Sequence, residues 1–178
     1  MKIVMVASEA LPFAKTGGLA DVTYSLSKEL ALTEEVSIII PLYKSIKDKF
    51  ADKLSKVMDF TVTMCWRKSH TVVYAAKHNN ITYYFIDNPQ YFGRDNLYGY
   101  FDDGERFAFF NLAAAEFLAK INYVPDIIHS HDWQTGMLPC IMKENEAYRS
   151  LFAESKFFFT IHNPAFQEIA GKYPSLHQ

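Results

Sequence analysis

A lysine stands beside two adjacent glycines where the first predicted strand leads into the first predicted helix. The residues are Lys15, Thr16, Gly17 and Gly18. Two glycines allow a ligand to approach the backbone closely and leave N–H groups free where the helix begins, at an end that carries roughly half a positive charge. Because acidic residues are normally preferred there, the lysine indicates a bound anion such as a phosphate or diphosphate. The alternative is a surface loop whose lysine points into water.

Two more polar clusters follow apolar runs further along the chain. Residues 130–133 follow the run 125–129, and His162 with Asn163 follows the run 156–161. In an open parallel sheet the carboxyl ends of the strands point the same way, and ligands bind outside them. We therefore expect both clusters and the glycine-rich loop to share one rim of the fold.

Hydrophobic periodicity predicts the elements that position these clusters. In the first helix, Leu19, Val22, Leu26 and Leu30 fall on one face. The patterns predict strands at 2–7, 36–40, 60–66, 71–76, 81–86, 125–129 and 156–161, and helices at 17–33, 104–122 and 137–148.

The order of these elements predicts one α/β domain over residues 1–178. Its core is a Rossmann-like parallel sheet with helices on both faces. The middle runs alternate apolar and polar residues and are separated by the breaks 67–70 and 77–80, which predicts antiparallel hairpins with His70 and His78 in the turns.

Composition limits the classes of partner. The 178 residues are 49% hydrophobic and 21% charged with a formal net charge of -2, which is typical of a globular protein without a nucleic-acid or anionic-membrane surface. No apolar run approaches the ~18 residues of a membrane span. Cys65 and Cys140 are too few for a disulfide scaffold, so we expect reduced core thiols and a cytoplasmic location.

Three familiar chemistries lack their motifs. A dinucleotide site would need G-x-G-x-x-G after the first strand, and a P-loop would need G-x-x-x-x-G-K-[ST]; neither occurs. No G-x-S-x-G occurs and neither cysteine lies in a predicted loop, so nucleophilic catalysis by serine or cysteine is not supported.

A metal-dependent hydrolase remains an alternative at this point. His129 and His131 have the H-x-H spacing with which a strand end can present nitrogen ligands, and His162 could add another. Against it, side chains two apart share a face only while the strand is regular. His129 could equally be a buried, hydrogen-bonded histidine.

Five sequence motifs stand in order along the chain. They are Ser8-Glu9 with Lys15-Thr16-Gly17-Gly18-Leu19-Ala20-Asp21-Val22, Asn96-Leu97-Tyr98-Gly99-Tyr100, Glu105-Arg106-Phe107-Ala108-Phe109-Phe110, His129-Ser130-His131-Asp132-Trp133-Gln134-Thr135-Gly136, and Thr160-Ile161-His162-Asn163. In residue type and order they resemble the motifs of bacterial glycogen synthases and plant starch synthases. The resemblance covers nearly the whole chain.

The resemblance implies a retaining glucosyltransferase. Such enzymes move glucose from ADP-glucose to the nonreducing end of an α-1,4-glucan (glycogen or a maltooligosaccharide), in a cleft between the two Rossmann-like halves of a GT-B fold. On this resemblance, residues 1–178 form the N-terminal, acceptor-side domain, truncated and inactive alone, and the C-terminal nucleotide-binding domain is absent. No metal or other cofactor is expected.

The resemblance also implies roles for single residues. Lys15 would contact the diphosphate and glucosyl region of the donor, with Gly17 and Gly18 giving close backbone approach. His162 would lie against the glucosyl ring near the reacting carbon. Asp132 would hold a sugar hydroxyl or order the cleft.

Asn163 and Tyr98 are expected on the same rim. After Asn163 the family commonly continues alanine-aromatic-glutamine-glycine, whereas Gln167 is followed here by Glu168, which leaves acceptor contacts beyond Asn163 open.

A glucan-binding module without transferase activity stays the alternative function, because 16% of the residues are aromatic and the second domain is missing.

Overall fold

The computed structural model describes residues 1–164; the departure at Glu168 lies outside the described residues. The strands are β1 (Lys2–Val6), β2 (Glu35–Pro41), β3 (Ser55–Met64), β4 (Arg67–His78), β5 (Ile81–Asp87), β6 (Ile127–His131) and β7 (Lys156–Thr160). The helices are α1 (Gly18–Leu30), α2 (Lys44–Phe50), α3 (Pro89–Phe92), α4 (Asp103–Lys120), α5 (Leu138–Glu144) and α6 (Glu146–Arg149). The strands form one sheet in the order β3-β4-β5-β2-β1-β6-β7.

The sheet has a parallel core and an antiparallel edge. β5, β2, β1, β6 and β7 are parallel neighbours, whereas β4 and β3 join antiparallel at one side. Consecutive residues are buried from Ile3 to Val6 and from Val36 to Pro41. Because consecutive side chains of a strand point to opposite faces, both faces of the central strands are covered. The predicted fold class is confirmed.

The antiparallel edge is longer than predicted. Residues 67–70 pair with β3 instead of forming a turn, so His70 and His78 are strand residues and the first turn is Cys65-Trp66. Residues 67–70 lie near the end of a hairpin, where strand side chains are exposed and polar. In the sequence such residues cannot be distinguished from a turn. The second predicted turn survives as Asn79-Asn80, and both asparagines have positive φ, as tight hairpin turns require.

Helix α1 faces the sheet with small side chains. Ala20, Thr23 and Ser27 are buried, whereas Val22 and Leu26 on the predicted apolar face are 43% and 37% exposed. Small residues let the helix backbone approach a sheet closely, and periodicity alone could not reveal that preference. The helix also ends at Leu30, before the predicted Thr33.

Strand β6 lies two residues later than predicted. It spans Ile127–His131 rather than 125–129, because pairing with β1 continues to Ser130 and pairing with β7 continues to His131. The predicted helix 137–148 is divided at Asn145, whose side chain accepts the Ala147 N–H and begins α6. No helix within residues 1–164 has the length and hydropathy that a membrane span needs.

Both cysteines are exposed, so the prediction of core thiols is wrong. Cys65 lies in the tight turn between β3 and β4, where its φ is 55°. Cys140 lies in α5, which buries Leu138 and Met142 and leaves Cys140 in solvent. Both thiols are free.

The two thiols are therefore expected to react in the folded protein. Iodoacetamide should alkylate Cys65 and Cys140 in native protein to the extent that it does in urea, because neither needs an unfolding event to meet the reagent. Mass spectrometry of the two peptides measures this. Protection of either thiol until denaturant is added would contradict the structure.

Candidate active site at the carboxyl ends of the parallel strands

The carboxyl ends of β1, β6 and β7 lie side by side at one edge of the sheet. The strands are parallel neighbours, with Val6 in register with Ser130 and His131 in register with Thr160. The glycine-rich loop, the turn after β6 and the segment after β7 therefore leave the sheet at the same edge. This is the arrangement that the sequence predicts.

Asp132, the first residue after β6, is held in an unusual backbone conformation. Its φ and ψ are 59° and 179°, a region populated almost only by glycine, at a cost of about 1–3 kcal/mol. Its N–H donates to the Thr160 carbonyl at 2.9 Å, and its Oδ1 accepts the His162 N–H at 2.7 Å and the Asn163 N–H at 3.4 Å. The strained turn thus points the carboxylate at the backbone after β7, and Asp132 orders that segment.

His131, the last residue of β6, is fully buried. Its N–H donates to Thr135 Oγ1 at 2.7 Å, and the Thr135 hydroxyl donates to the His131 carbonyl at 2.8 Å. Its Nδ1 lies 3.0 Å from Nε2 of His162. Burial, with smaller contributions from His129 and His162, lowers the pKa of His131 from 6.5 to about 3. The imidazole is therefore neutral at physiological pH.

This buried imidazole is expected to destabilise the protein as the pH falls below about 6.5. The unfolded chain takes up the proton below its ordinary pKa, whereas folded His131 stays neutral down to about 3. The unfolded state then binds more protons, and one such group lowers the free energy of unfolding by roughly 1.4 kcal/mol per pH unit. Urea unfolding at several pH values between 6.5 and about 3 measures how the free energy of unfolding changes with pH, and His131→Asn should reduce that slope. An identical slope in that variant would contradict the assignment.

A buried carboxylate organises the loop between β1 and α1. Glu9 is 3% exposed, and its Oε2 accepts the N–H and the hydroxyl of Thr16 at 2.6 and 2.9 Å. Burial raises the pKa of Glu9, and hydrogen bonds from Thr16 and the Gly17 N–H oppose that shift. The Thr16 N–H is therefore not free for a ligand, because the buried Glu9 carboxylate accepts it. A Cβ added at Gly18 would meet no atom within 4 Å, so the surface there is open.

Lys15 has an anionic partner within the chain. Its Nζ lies 2.8 Å from the carboxylate of Asp21 in the first turn of α1, and each side chain is 47% exposed. Asp21 supplies the acid normally found at a helix N-terminus, so the structure of the chain alone accounts for the lysine. Exposed ion pairs contribute only about 0–1 kcal/mol, so a phosphate could displace Asp21 at little cost.

Tyr98 links the segment before α4 to the first loop. Its hydroxyl donates to Ser8 Oγ at 2.6 Å, and the Tyr43 hydroxyl donates to the Ser8 carbonyl at 2.8 Å. Burial raises the pKa of Tyr98, and the nearby charges of Glu9 and Asp132 raise it further. Tyr98 is therefore fixed against the first loop.

Within residues 1–164, no group of three or more His, Cys, Asp or Glu side chains is arranged to hold a metal ion. His129 and His131 do share one face of β6, with ring centroids 4.1 Å apart. However, His129 Nε2 lies 2.7 Å from Thr160 Oγ1, and His131 Nδ1 faces His162. These nitrogens contact neighbouring side chains instead of converging on one point, so the described residues do not support the metal hydrolase.

Comparison with known proteins decides the family. The model of a family described as the starch synthase catalytic domain matches residues 2–177. The chain belongs to this family. The resemblance drawn from the five motifs is thereby confirmed.

Similar members of the starch synthase family are bacterial and plant proteins. A glycogen synthase of Anoxybacillus flavithermus is 45% identical over 170 residues, covering 95% of this chain and 35% of the relative. A glycogen synthase of Streptococcus agalactiae serotype III is 44% identical over 168 residues, covering 94% and 35%. The catalytic domain of starch synthase IV from Arabidopsis thaliana, bound to ADP and acarbose, matches with a TM-score of 0.81 and 30% identity, covering 90% and 34%. The chain spans about a third of the length of these proteins.

Proposed function

We propose that this chain is the N-terminal, acceptor-side domain of a glycogen synthase. The whole polypeptide transfers glucose from ADP-glucose to the nonreducing end of an α-1,4-glucan with retention of configuration. The family match carries the proposal: relatives covering nearly all of this chain are named glycogen synthases, and a starch synthase of the same fold binds ADP and acarbose.

Lys15 is the proposed contact for the donor diphosphate. Its partner Asp21 is half exposed and weakly held, so the ammonium can turn to a more highly charged diphosphate. The open surface at Gly18 gives the same phosphates room to approach the backbone, and the beginning of α1 adds a favourable dipole. Gly17 contributes through its small size, because it lies next to the Glu9 carboxylate at the start of α1.

His162 is the proposed contact for the glucosyl group. The Asp132 carboxylate fixes its backbone, and His131 holds its ring from one side. A side chain fixed at both points can meet the sugar without the entropic cost of ordering it first. Asn163, exposed beside it, and Tyr98 complete the proposed rim.

The proposed chemistry is front-face displacement, in which the leaving diphosphate helps to deprotonate the acceptor hydroxyl. The protein then acts by positioning groups and stabilising charge, and needs no metal or cofactor. The matching relatives are longer than this chain, and the C-terminal domain lies in that additional length. Because that domain supplies most nucleotide contacts, the isolated chain is inactive. The exposed thiols Cys65 and Cys140 fit a reducing compartment, the cytoplasm.

The Lys15→Ala substitution in the complete polypeptide tests this function. Loss of a hydrogen bond between a cation and a phosphate should lower kcat/KM for ADP-glucose about tenfold or more, measured as ADP release in the presence of a maltooligosaccharide. Lys28→Ala, at an exposed position in α1, is the matched control and should leave kcat/KM unchanged. Absence of transfer by the wild type would overturn the function, and equal rates for both variants would overturn the role of Lys15.

A further inference from the structure

Two imidazole rings meet where β6 and β7 end, and one of them has no access to water. The rings of His131 and His162 are nearly parallel, with centroids 5.3 Å apart and an interplanar angle of 12°. His131 Nδ1 and His162 Nε2 are 3.0 Å apart, which is hydrogen-bond distance. Two neutral imidazoles can form this bond only if one nitrogen carries a proton and the other does not.

The second ring nitrogen of His131 decides which one donates. His131 Nε2 is buried and has no hydrogen-bond partner among the described residues. If it carried the proton, an N–H group would be buried without an acceptor, which costs about 1–3 kcal/mol and is rare in folded proteins. A bare nitrogen lone pair at that position is tolerated more readily. The proton therefore belongs on Nδ1, and His131 Nδ1–H donates to His162 Nε2.

We propose that His131 is a positioning residue that fixes the tautomer of His162. With Nε2 occupied as an acceptor, neutral His162 must carry its proton on Nδ1, on the far side of the ring from His131. The exposed part of His162 then offers a hydrogen-bond donor to the rim, suited to an oxygen of the sugar. This inference rests on the proposed function for its ligand, but the tautomer itself does not depend on that function.

Other contacts support a fixed donor at this point. The backbone of His131 is held through both its N–H and its carbonyl by Thr135, so the donor ring cannot shift independently of the sheet. The backbone of His162 is held by Asp132. Burial lowers the pKa of His131, so that ring stays neutral and keeps one proton to donate through the physiological range.

Ring nitrogen NMR of the complete polypeptide, labelled with ¹⁵N-histidine, tests the tautomer directly. We expect His162 to show a protonated Nδ1 and an unprotonated Nε2, the reverse of the tautomer that predominates in a free histidine side chain. The His162 signals are assigned by their loss in His162→Ala. A protonated Nε2 in neutral wild-type His162 would overturn the proposal.

Two substitutions at His131 separate positioning from simple packing. His131→Leu fills the space without a donor, so the His162 tautomer should revert toward Nε2–H and kcat should fall about tenfold with a smaller change in KM. His131→Asn can place an amide N–H near the position of Nδ1 and should restore both the tautomer and most of kcat. If Asn and Leu behave alike in the ring spectra, His131 acts only through packing and the proposal is wrong.

The outcomes also distinguish this inference from the proposed function. A wild type that transfers no glucose but shows the Nδ1–H tautomer would overturn the function and support the positioning role. A wild type that transfers glucose but shows the Nε2–H tautomer would support the function and overturn the positioning role. If His131→Leu does not fold, the wild-type spectrum and the Asn variant still decide.

Discussion

Replacing Asp132 by alanine should lower kcat/KM for glucosyl transfer about a hundredfold in the complete polypeptide. The carboxylate accepts the backbone N–H of His162 at 2.7 Å, and the Asp132 N–H joins β6 to β7 through Thr160. Without the carboxylate, the segment after β7 loses the contact that sets the position of His162. Displacement of a positioning group by about 1 Å can cost roughly this factor.

Two more substitutions at Asp132 separate position from strain. Asp132→Asn keeps an oxygen acceptor and should lose less activity than the alanine variant. Asp132→Gly removes both the carboxylate and the strain of φ 59°, so it should match alanine in activity but exceed it in unfolding free energy by about 1 kcal/mol or more. An alanine variant with at least half the wild-type kcat/KM would show that Asp132 does not position the site.

Replacing Arg106 by methionine should lower the free energy of unfolding by about 3 kcal/mol or more. Arg106 is fully buried; its Nε donates to the Tyr91 carbonyl at 2.7 Å, and its Nη1 donates to the Leu97 carbonyl at 3.1 Å and pairs with Asp103. Removing the guanidinium leaves the two carbonyls without this donor and leaves the Asp103 carboxylate with the Gly99 N–H but no cation. Arg106 thus anchors the segment that carries Tyr98 to α4.

Hydrogen exchange of the α4 amides measures this loss as an opening free energy. Arg94→Met is the matched control, because Arg94 forms its ion pair with Asp102 in the same segment but both side chains are partly exposed. That variant should lose only about 1 kcal/mol. Equal losses in the two variants would mean that burial does not set the strength of the Arg106 contacts.

The sequence could predict the parallel core and the shared edge at its strand ends for a physical reason. Strands buried on both faces must be continuously apolar, so polar residues such as Asp132 and His162 mark the ends of those strands. Once the strands are parallel, their ends share one edge whatever the details of the loops. The five motifs then identified the family, which the comparison confirmed.

Contacts made by tertiary packing were not predictable in the same way. Neither composition nor periodicity shows that Glu9 is buried, because the Thr16 donors that its carboxylate accepts reach it only in the folded loop. The buried face of α1 consists of Ala20 and its small neighbours, whereas periodicity predicts that the larger apolar residues are buried. The sequence suggested His131 only as a candidate metal ligand, because its position beside His162 depends on the pairing of β6 with β7.

A crystal structure of the complete polypeptide with ADP and a maltooligosaccharide would most directly test whether this edge of the sheet binds the substrates. We expect ligand atoms within hydrogen-bond distance of Lys15 and His162, with the Asp132 carboxylate still on the His162 backbone. Ligands bound elsewhere, for example in the open pocket lined by Lys143, Phe152 and Phe158, with the rim unoccupied, would contradict the assignment.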